Sequence, residues 1–519
     1  MPQIMGSGAA LFDANGDNLL DIYLLQNGGP HGARNRLYLQ SPNHTFRDAS
    51  EGSGLDIPGY NMGVAVGDVN NDGRPDVLVT SYDGVQLFRN NGKGVFTNIT
   101  AESGLNNPAW ATSAAFVDYD RDGWLDLVVV NYLDYDPTWP CYAAGEQRDY
   151  CPPRRFQGRV TKLFRNLGPG AGREEVRFED VTVSSGLNGV AGPGLGVLCA
   201  DFNGNGWPDI LVANDGEANR LWINQHDGTF REEAVRRGVA FNALGQAQGN
   251  MGVAWADVDG DGLFDLFITH LSEEGNTLWR QQPRGLFQDC TTRAGLTTSH
   301  WHGTGFGVVS ADFDLDGAVD LALVNGRVFR GSTLANADLG EHWGYYAERN
   351  QLFVNEGTGR FRDRSREEPA FCGRGNVGRG LAWGDFDNDG QIDFLATTVA
   401  GRACLYRNVA PRKGHWLVVR ALDPKLRRDA YGAEVRVTAG QQCWCRLINP
   451  GDSYLCSSDP RAHFGLGPAE RVDSIAIVWP DGTTEDFPGR QADQFVELRK
   501  GEGRRSDANA KPSRRAAHD

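Results

Sequence analysis

The sequence predicts an all-β fold: a seven-bladed β-propeller followed by a small C-terminal β-sandwich or barrel. Three observations carry this expectation. A nonapeptide, Asp-x-Asp/Asn-x-Asp/Asn-Gly-x-x-Asp, recurs seven times along the 519 residues. Each copy sits between two short apolar runs, and further runs follow before the next copy. That makes about four strands per unit of roughly 50–56 residues, the size of a propeller blade. After about residue 410 the nonapeptides stop and a different alternating pattern begins.

Within a unit the first run is rich in small residues, as in NMGVAVGD, GLGVLCAD and GFGVVSAD, which suits a crowded central axis. The second, such as DVLVTSY, DLVVVNY or DLFITHL, reads as a buried strand of Val, Ile and Leu. The third is NRLYLQ, VQLFRN, TKLFRN, NRLWIN, NTLWRQ, NQLFVN or ACLYRN. The fourth is TFRDAS, VFTNIT, RFEDVT, TFREEA, LFQDCT or RFRDRS, usually running on to SGL or AGL. This last motif occurs six times against seven loops, so the seventh blade lacks an outer strand of its own. The expectation is that the native protein begins upstream, with that strand and an export signal. Two spacings are stretched, by inserts at 134–159 and 331–348. Long inserts on a rigid scaffold are where binding tends to reside, although covering a blade edge is an equal alternative.

The nonapeptide suits calcium, a hard cation that takes six to eight oxygens at roughly 2.3–2.6 Å. Position 1 is Asp13, Asp68, Asp118, Asp201, Asp257, Asp312 and Asp385. Position 3 is Asn15, Asn70, Asp120, Asn203, Asp259, Asp314 and Asp387. Position 5 is Asp17, Asp72, Asp122, Asn205, Asp261, Asp316 and Asp389. Position 9 is Asp21, Asp76, Asp126, Asp209, Asp265, Asp320 and Asp393. Position 7 varies freely (Leu19, Arg74, Trp124, Trp207, Leu263, Ala318, Gln391), as expected if only its backbone carbonyl is a ligand. Position 6 is Gly except for Asn18 and calls for a positive φ. An EF-hand is excluded because position 12 is Leu, Val, Ile or Ala rather than Glu. Metal-free Asp/Asn/Gly turns are the plain alternative, weakened by four oxygen-bearing side chains at fixed offsets in every copy. Up to seven Ca2+ are expected. Copies three, five, six and seven carry four carboxylates; copy four, with two, should bind most weakly.

The net charge of −16 argues against nucleic acid and would be roughly cancelled by seven divalent ions. No apolar run reaches the 18 or so residues of a membrane helix, so no membrane insertion is expected. MPQIMGSGAALFD lacks the basic start and apolar core of a secretory signal. Of nine cysteines, Cys141 and Cys151 bracket one insert and are expected to form a disulfide; either Cys443 or Cys445 could meet Cys456. The sequence lacks a G-x-S-x-G elbow, an H-E-x-x-H pair and a P-loop. No enzyme is therefore expected, and His300 and His302 read as loop residues. Asn43 and Asn98 match the N-glycosylation pattern, which is frequent by chance.

The domain boundaries follow: a propeller over 1–410, a β domain over 411–500 with strands such as HWLVVRAL, GAEVRVTAG and VDSIAIVW, and a polar, disordered tail over 501–519. The repeats resemble FG-GAP (VCBS) repeats. The end resembles the ASPIC/UnbV domain through Gly414-His415-Trp416-Leu417, Tyr431-Gly432-Ala433, His463-Phe464-Gly465-Leu466-Gly467 and Val478-Trp479-Pro480-Asp481-Gly482. The combination is similar to the cartilage acidic protein family and its bacterial relatives. The resemblance implies a calcium-binding propeller like the integrin α head, located outside the cell, in the periplasm or on the cell surface. The function expected is a non-enzymatic adhesion or interaction scaffold with a protein or glycan ligand on the propeller face or inserts. The alternative is a lectin, with Trp110, Trp124, Trp207, Trp222 and Trp301 as stacking platforms.

Overall fold

A computed structural model describes residues 1–143, 147–169 and 176–506. The chain is all-β, with repeated four-stranded antiparallel sheets and a few helices of four residues or fewer. The first sheet runs Ala9–Phe12, Asp21–Leu24, Arg36–Gln40, Phe46–Asp48, in spatial as in sequence order. The same meander recurs from Asn61–Gly67, Ala111–Val117, Gly194–Ala200, Val253–Ala256 and Gly305–Ala311, and the fourth sheet gains a short extra strand, Gln248–Gly249. The last, from Gly378–Gly384, has three strands and ends at Cys404–Tyr406, as the six copies of the fourth-strand motif anticipate.

The inner strands stand side by side in chain order, and Gly378–Gly384 returns to contact Ala9–Phe12. Between successive sheets lies an apolar layer, for instance Val66, Val77, Phe88 and Phe96 between the first and second. The layer joining the seventh sheet to the first is the smallest, with six buried residues. Close approach of the inner strands explains their glycines: a Cβ on Gly252 would collide with the Phe306 carbonyl, and one on Gly63 with that of Thr112.

Residues 415–506 build two sheets around one core that includes Leu417, Val435, Phe464, Ile477 and Trp479. One sheet is centred on His415–Asp423, which pairs with Ala462–Gly467 antiparallel and Gln494–Arg499 parallel. The other runs Gln442–Leu447, Glu434–Ala439, Ser474–Val478, Thr484–Pro488, Arg504–Ser506. That last strand corrects the expected start of the tail at 501: its backbone pairs with Thr484–Asp486, extending the sheet by one edge. Residues 507–519, the rest of that expected tail, lie outside the described residues.

This C-terminal unit is threaded into the ring. Its segment 449–459 enters the hub and bonds to inner strands of five sheets. Ser453 N donates to Val253 O (2.7 Å) and its Oγ to Leu381 O (2.8 Å). Val308 N donates to Ser453 Oγ (3.0 Å) and Val64 N to Leu455 O (3.2 Å). Ser457 N donates to Ala9 O (3.0 Å). Cys456 is buried there, beside Ala9 and Gly380, and is not disulfide-bonded; Cys443 and Cys445 are free as well.

At the other end of the hub the two inserts meet. Tyr346 Oη donates to Asp149 Oδ1 (2.6 Å), Arg330 N donates to Asp149 Oδ2 (3.1 Å), and the rings of Tyr150 and Tyr346 lie 5.6 Å apart. Cys141 and Cys151 are disulfide-bonded, as expected; residues 144–146 of that insert fall outside the described residues. Tyr346, Tyr132, Trp110 and Phe306 share an apolar cluster with Tyr454 and Leu455, so cap and threaded segment meet inside the hub.

Candidate metal centre

Each nonapeptide is the turn between the first and second strands of its sheet, which sets all seven loops on one face of the ring. Their backbone is the same throughout. Position 6 has positive φ in every copy, from 65° at Asn18 to 99° at Gly317. Position 4 does too, which the sequence did not signal: alongside Gly16, Gly204 and Gly260 stand Asn71, Arg121, Leu315 and Asn388 at φ of 54–65°. A non-glycine side chain pays for that conformation with about 1 kcal/mol of strain or more. At Leu315 the side chain is wholly buried against Trp416 and Val418, so it also seats the C-terminal unit.

The carboxylates have distinct local roles. Position 1 accepts the position 6 amide through Oδ2, as in Gly73 to Asp68 (2.7 Å) and Gly390 to Asp385 (2.7 Å). Position 5 accepts the position 7 amide, as in Arg74 to Asp72 (2.9 Å) and Ala318 to Asp316 (3.1 Å). Position 9 is buried in all seven copies and accepts two amides, one from position 2 and one from the last residue of the third strand. In the third loop these are Tyr119 N to Asp126 Oδ2 (3.1 Å) and Asn166 N to Asp126 Oδ1 (2.8 Å). Position 9 therefore pins its own sheet.

Sequence reading missed the partner in that arrangement. The third strand ends in Gln40, Asn90, Asn166, Asn224, Gln281 or Asn355, and Asn408 stands two residues past the seventh; their side-chain amides mostly bridge to the preceding loop. Asn166 Nδ2 donates to Val69 O (2.9 Å), and Gln40 Nε2 donates to Phe386 O (2.8 Å), tying the first sheet to the seventh. The signal was there in the Asn or Gln closing every third-strand run.

Burial raises these carboxylates against ionisation. Desolvation is the largest cause at Asp118, Asp312 and Asp385, each pushed up to about 7, at Asp393, pushed up to about 8, and at Asp68 and Asp257, pushed up to about 6. Asp126, Asp209 and Asp320 are driven well above the ordinary carboxylate range for the same reason. Buried carboxylates crowded together need a cation to stay charged.

The donor set fits such a cation in four loops. Among the described residues, three ligand oxygens come within 4.8 Å of one another in Asp118/Asp120/Asp122, Asp257/Asp259/Asp265, Asp312/Asp314/Asp316 and Asp385/Asp387/Asp393. These are the copies with four carboxylates. Oδ1 of Asp118, Asp314 and Asp387 is buried without a hydrogen-bond partner. In the first, second and fourth loops position 3 is Asn, and its amide donates to a neighbouring carboxylate: Asn15 to Asp17 (3.0 Å), Asn70 to Asp72 (2.9 Å), Asn203 to Asp209 (3.3 Å). Those copies bring no such triad together.

Basic side chains flank the four-carboxylate loops. Arg165 Nε lies 2.7 Å from Asp120, Lys413 Nζ 2.5 Å from Asp314, Arg407 Nε 2.5 Å from Asp387, and Arg280 pairs with Asp259. The C-terminal unit rests on the same face. Buried Arg428 donates to Asn71 Oδ1 (2.9 Å) and Gly123 O (3.3 Å), Trp444 Nε1 to Gly317 O (2.9 Å), and His463 Nε2 lies 2.9 Å from Gly390 O. Of the tryptophans considered as sugar platforms, Trp110 and Trp222 are core residues. Trp207 is covered by the Arg121 guanidinium, 4.4 Å from its ring. His300 and His302 are exposed.

Known proteins share these features. The family described as FG-GAP-like repeat matches residues 13–79, 68–129, 201–268, 258–323 and 342–396, more than half of the chain, and ASPIC and UnbV matches 423–505. Cartilage acidic protein 1 of Mus musculus is 26% identical over 489 residues, covering 81% of this chain and 71% of that protein. The Homo sapiens form is also 26% identical, over 81% and 69%. Among solved structures, an Agrocybe aegerita lectin that recognises non-reducing terminal N-acetylglucosamine covers 76% of this chain and 86% of its own at 16% identity and a TM-score of 0.37. A Bacillus licheniformis rhamnogalacturonan lyase covers 78% and 71% at 13% identity and a TM-score of 0.37. Overlap that loose carries no inference about activity. The repeats, their loops and the C-terminal unit together make the chain a member of the FG-GAP-like repeat family, with an ASPIC/UnbV domain at its end and homology to cartilage acidic protein 1.

Proposed function

We propose that this protein is a non-enzymatic, calcium-rigidified seven-bladed β-propeller with a C-terminal β-sandwich, acting outside the cell as an interaction scaffold. The observation that carries the calcium reading is the set of buried, unpartnered oxygens of Asp118, Asp314 and Asp387, each inside a carboxylate triad. Positions 1, 3, 5 and 9 would supply side-chain oxygens and position 7 its carbonyl. A bound ion would neutralise carboxylates that burial otherwise drives towards protonation, and would join the two strands of each hairpin at their turn. The Cys141–Cys151 disulfide favours an oxidising compartment. A protein or glycan ligand on the ring face or the joined inserts completes the reading.

Calcium titration by calorimetry of the chelator-stripped chain tests it. Four tight equivalents are expected, with up to three weaker ones, and the double variant Asp118→Asn/Asp122→Asn should lose one of the four. A titration without binding heat at several temperatures, together with no calcium retained on dialysis, overturns the reading.

A further inference from the structure

A cavity of about 560 Å3 opens between the loop face of the ring and the C-terminal unit. Pockets that hold small organic ligands span roughly 300–1,000 Å3. One wall is formed by the turns of the first and second sheets, with Asn15, Leu19 and Arg74. The other is the sheet centred on His415–Asp423, where Val418 pairs with Phe495 and Arg420 with Glu497 on the face turned away from the core. The threaded segment closes a third side with Pro450, Ser458 and Pro460. Both ends of the described chain lie elsewhere: Met1 is beside Tyr135 at the capped end of the hub, and Arg504–Ser506 pairs in the other sheet.

The lining divides into an apolar strip and a charged rim. Phe495, next to buried Val418, is left 38% exposed, and the Trp416 ring and the Arg461 guanidinium, each 5.1 Å from its ring centre, hold it in place. Half-buried Leu19 and Pro460 continue the strip. Most charges of the rim are already matched. Arg420 donates to both oxygens of Asp429 (2.7 and 3.2 Å), Arg461 to Asp459 (2.6 Å) and Arg499 to Glu497 (2.6 Å), while Arg74 pairs with Asp72. Asp13 and Asp68 turn their oxygens to their own loops, accepting Asn18 N (2.8 Å) and Gly73 N (2.7 Å). Two guanidiniums remain. Buried Arg428 donates only to neutral acceptors, and its charge is met at longer range by Asp118 and Asp68. Arg427 is exposed at the mouth, at φ 56°, and among the described residues it has neither an ion pair nor a hydrogen bond.

We infer that this cleft binds a small amphipathic organic anion, its apolar body laid along Phe495, Val418 and Leu19 and its single headgroup, a carboxylate or phosphate, held by Arg427 with Arg428 behind it. A planar guanidinium presents paired N–H donors that match either headgroup, and an aromatic side chain left open in a concave site gains most from an apolar partner. The inference goes beyond the scaffold reading and stands on the cleft alone, since none of its contacts is with a metal ion.

The probe is the fluorescent anion anilinonaphthalene sulfonate, titrated into the full chain, with phenylnaphthylamine, the same body without the sulfonate, as the neutral control. One saturable equivalent is expected, with the control at least roughly tenfold weaker and hydrogen exchange slowed at 427–429 and 494–497. Arg427→Asn, which keeps a residue tolerant of positive φ, should bring the anion down to the affinity of the control, and Phe495→Ala should weaken both. Both side chains are exposed, so both variants should melt with the parent; should either fail to fold, the exchange map of the unaltered protein decides. Naphthoate or naphthyl phosphate should displace the probe, the tighter of the two identifying the headgroup. Equal affinity for the anion and the control, unchanged affinity in Arg427→Asn, displacement by neither compound, or protection away from the two segments overturns the inference.

Discussion

Removing calcium should lower the melting temperature by about 10 °C, a figure that follows from the four triads. An ion held only by the native state stabilises it by RT ln(1 + [L]/Kd), about 2.7 kcal/mol at a hundredfold excess over Kd. Four such sites contribute about 11 kcal/mol. The unfolding entropy of about 2.1 cal/mol/K per residue gives about 1.1 kcal/mol/K for 519 residues, hence the 10 °C. Differential scanning calorimetry in calcium at that excess, against EDTA, measures it directly. Asp312→Ala, which removes the first ligand of the sixth loop, should take away roughly a quarter of the difference, about 2–3 °C. Asp201→Ala in the fourth loop, where no triad forms, should take away less. Superimposable melts with and without chelator would refute the reasoning outright, and an equal loss from both variants would refute the ranking of the loops.

Three other outcomes are expected. Tyr454→Ala, which empties a fully buried site in the hub beside Phe306, should cost about 3–5 kcal/mol in urea unfolding and shift fluorescence and circular dichroism transitions together. Asp452, beside Trp383 Nε1, is raised by burial to about 7. Its folded pKa lies above the unfolded value, so its contribution is fully present below pH 4 and lost as the pH rises through 7. The loss is up to about 4 kcal/mol. Asp452→Asn should therefore match the parent near pH 4 and exceed it near pH 8 in urea midpoints. Asn203→Asp adds a third carboxylate to the fourth loop and should tighten that site by about tenfold in calcium titration, with Asn205→Asp adding to it.

The ring was legible in the sequence because its signals are local and repeated. Asp68 to Asp76 specify a turn, DVLVTS a buried strand, and seven recurrences remove the ambiguity of either alone. Which loops gather three carboxylate oxygens was legible too, since a position 3 Asn turns its amide onto a carboxylate. What escaped were relations that a linear pattern does not encode. The left-handed backbone at Arg121 and Leu315 goes against residue preference and is held by surrounding structure. The Arg165 and Arg407 contacts depend on strand register. The entry of 449–459 into the hub joins Ser453 to Val253, two hundred residues apart, and NPGDSYLCSS carries no periodicity that would announce it. Each insert read singly as a binding element or an edge cover; only the ring's curvature brings Asp149 to Tyr346.

That entry into the hub has a bearing on how the protein is made. On a ribosome, the first sheet emerges some four hundred residues before Ser457, which supplies bonds to Ala9 and Leu11. Until then the inner strands line a tube without its filling, and glycines such as Gly63, chosen for tight quarters, give the half-built hub little of its own to collapse onto. Contacts of such long sequence separation slow the final step and leave unfinished surfaces exposed. The finished hub thus joins the last hundred residues to strands laid down at the start, so its closure spans nearly the whole chain.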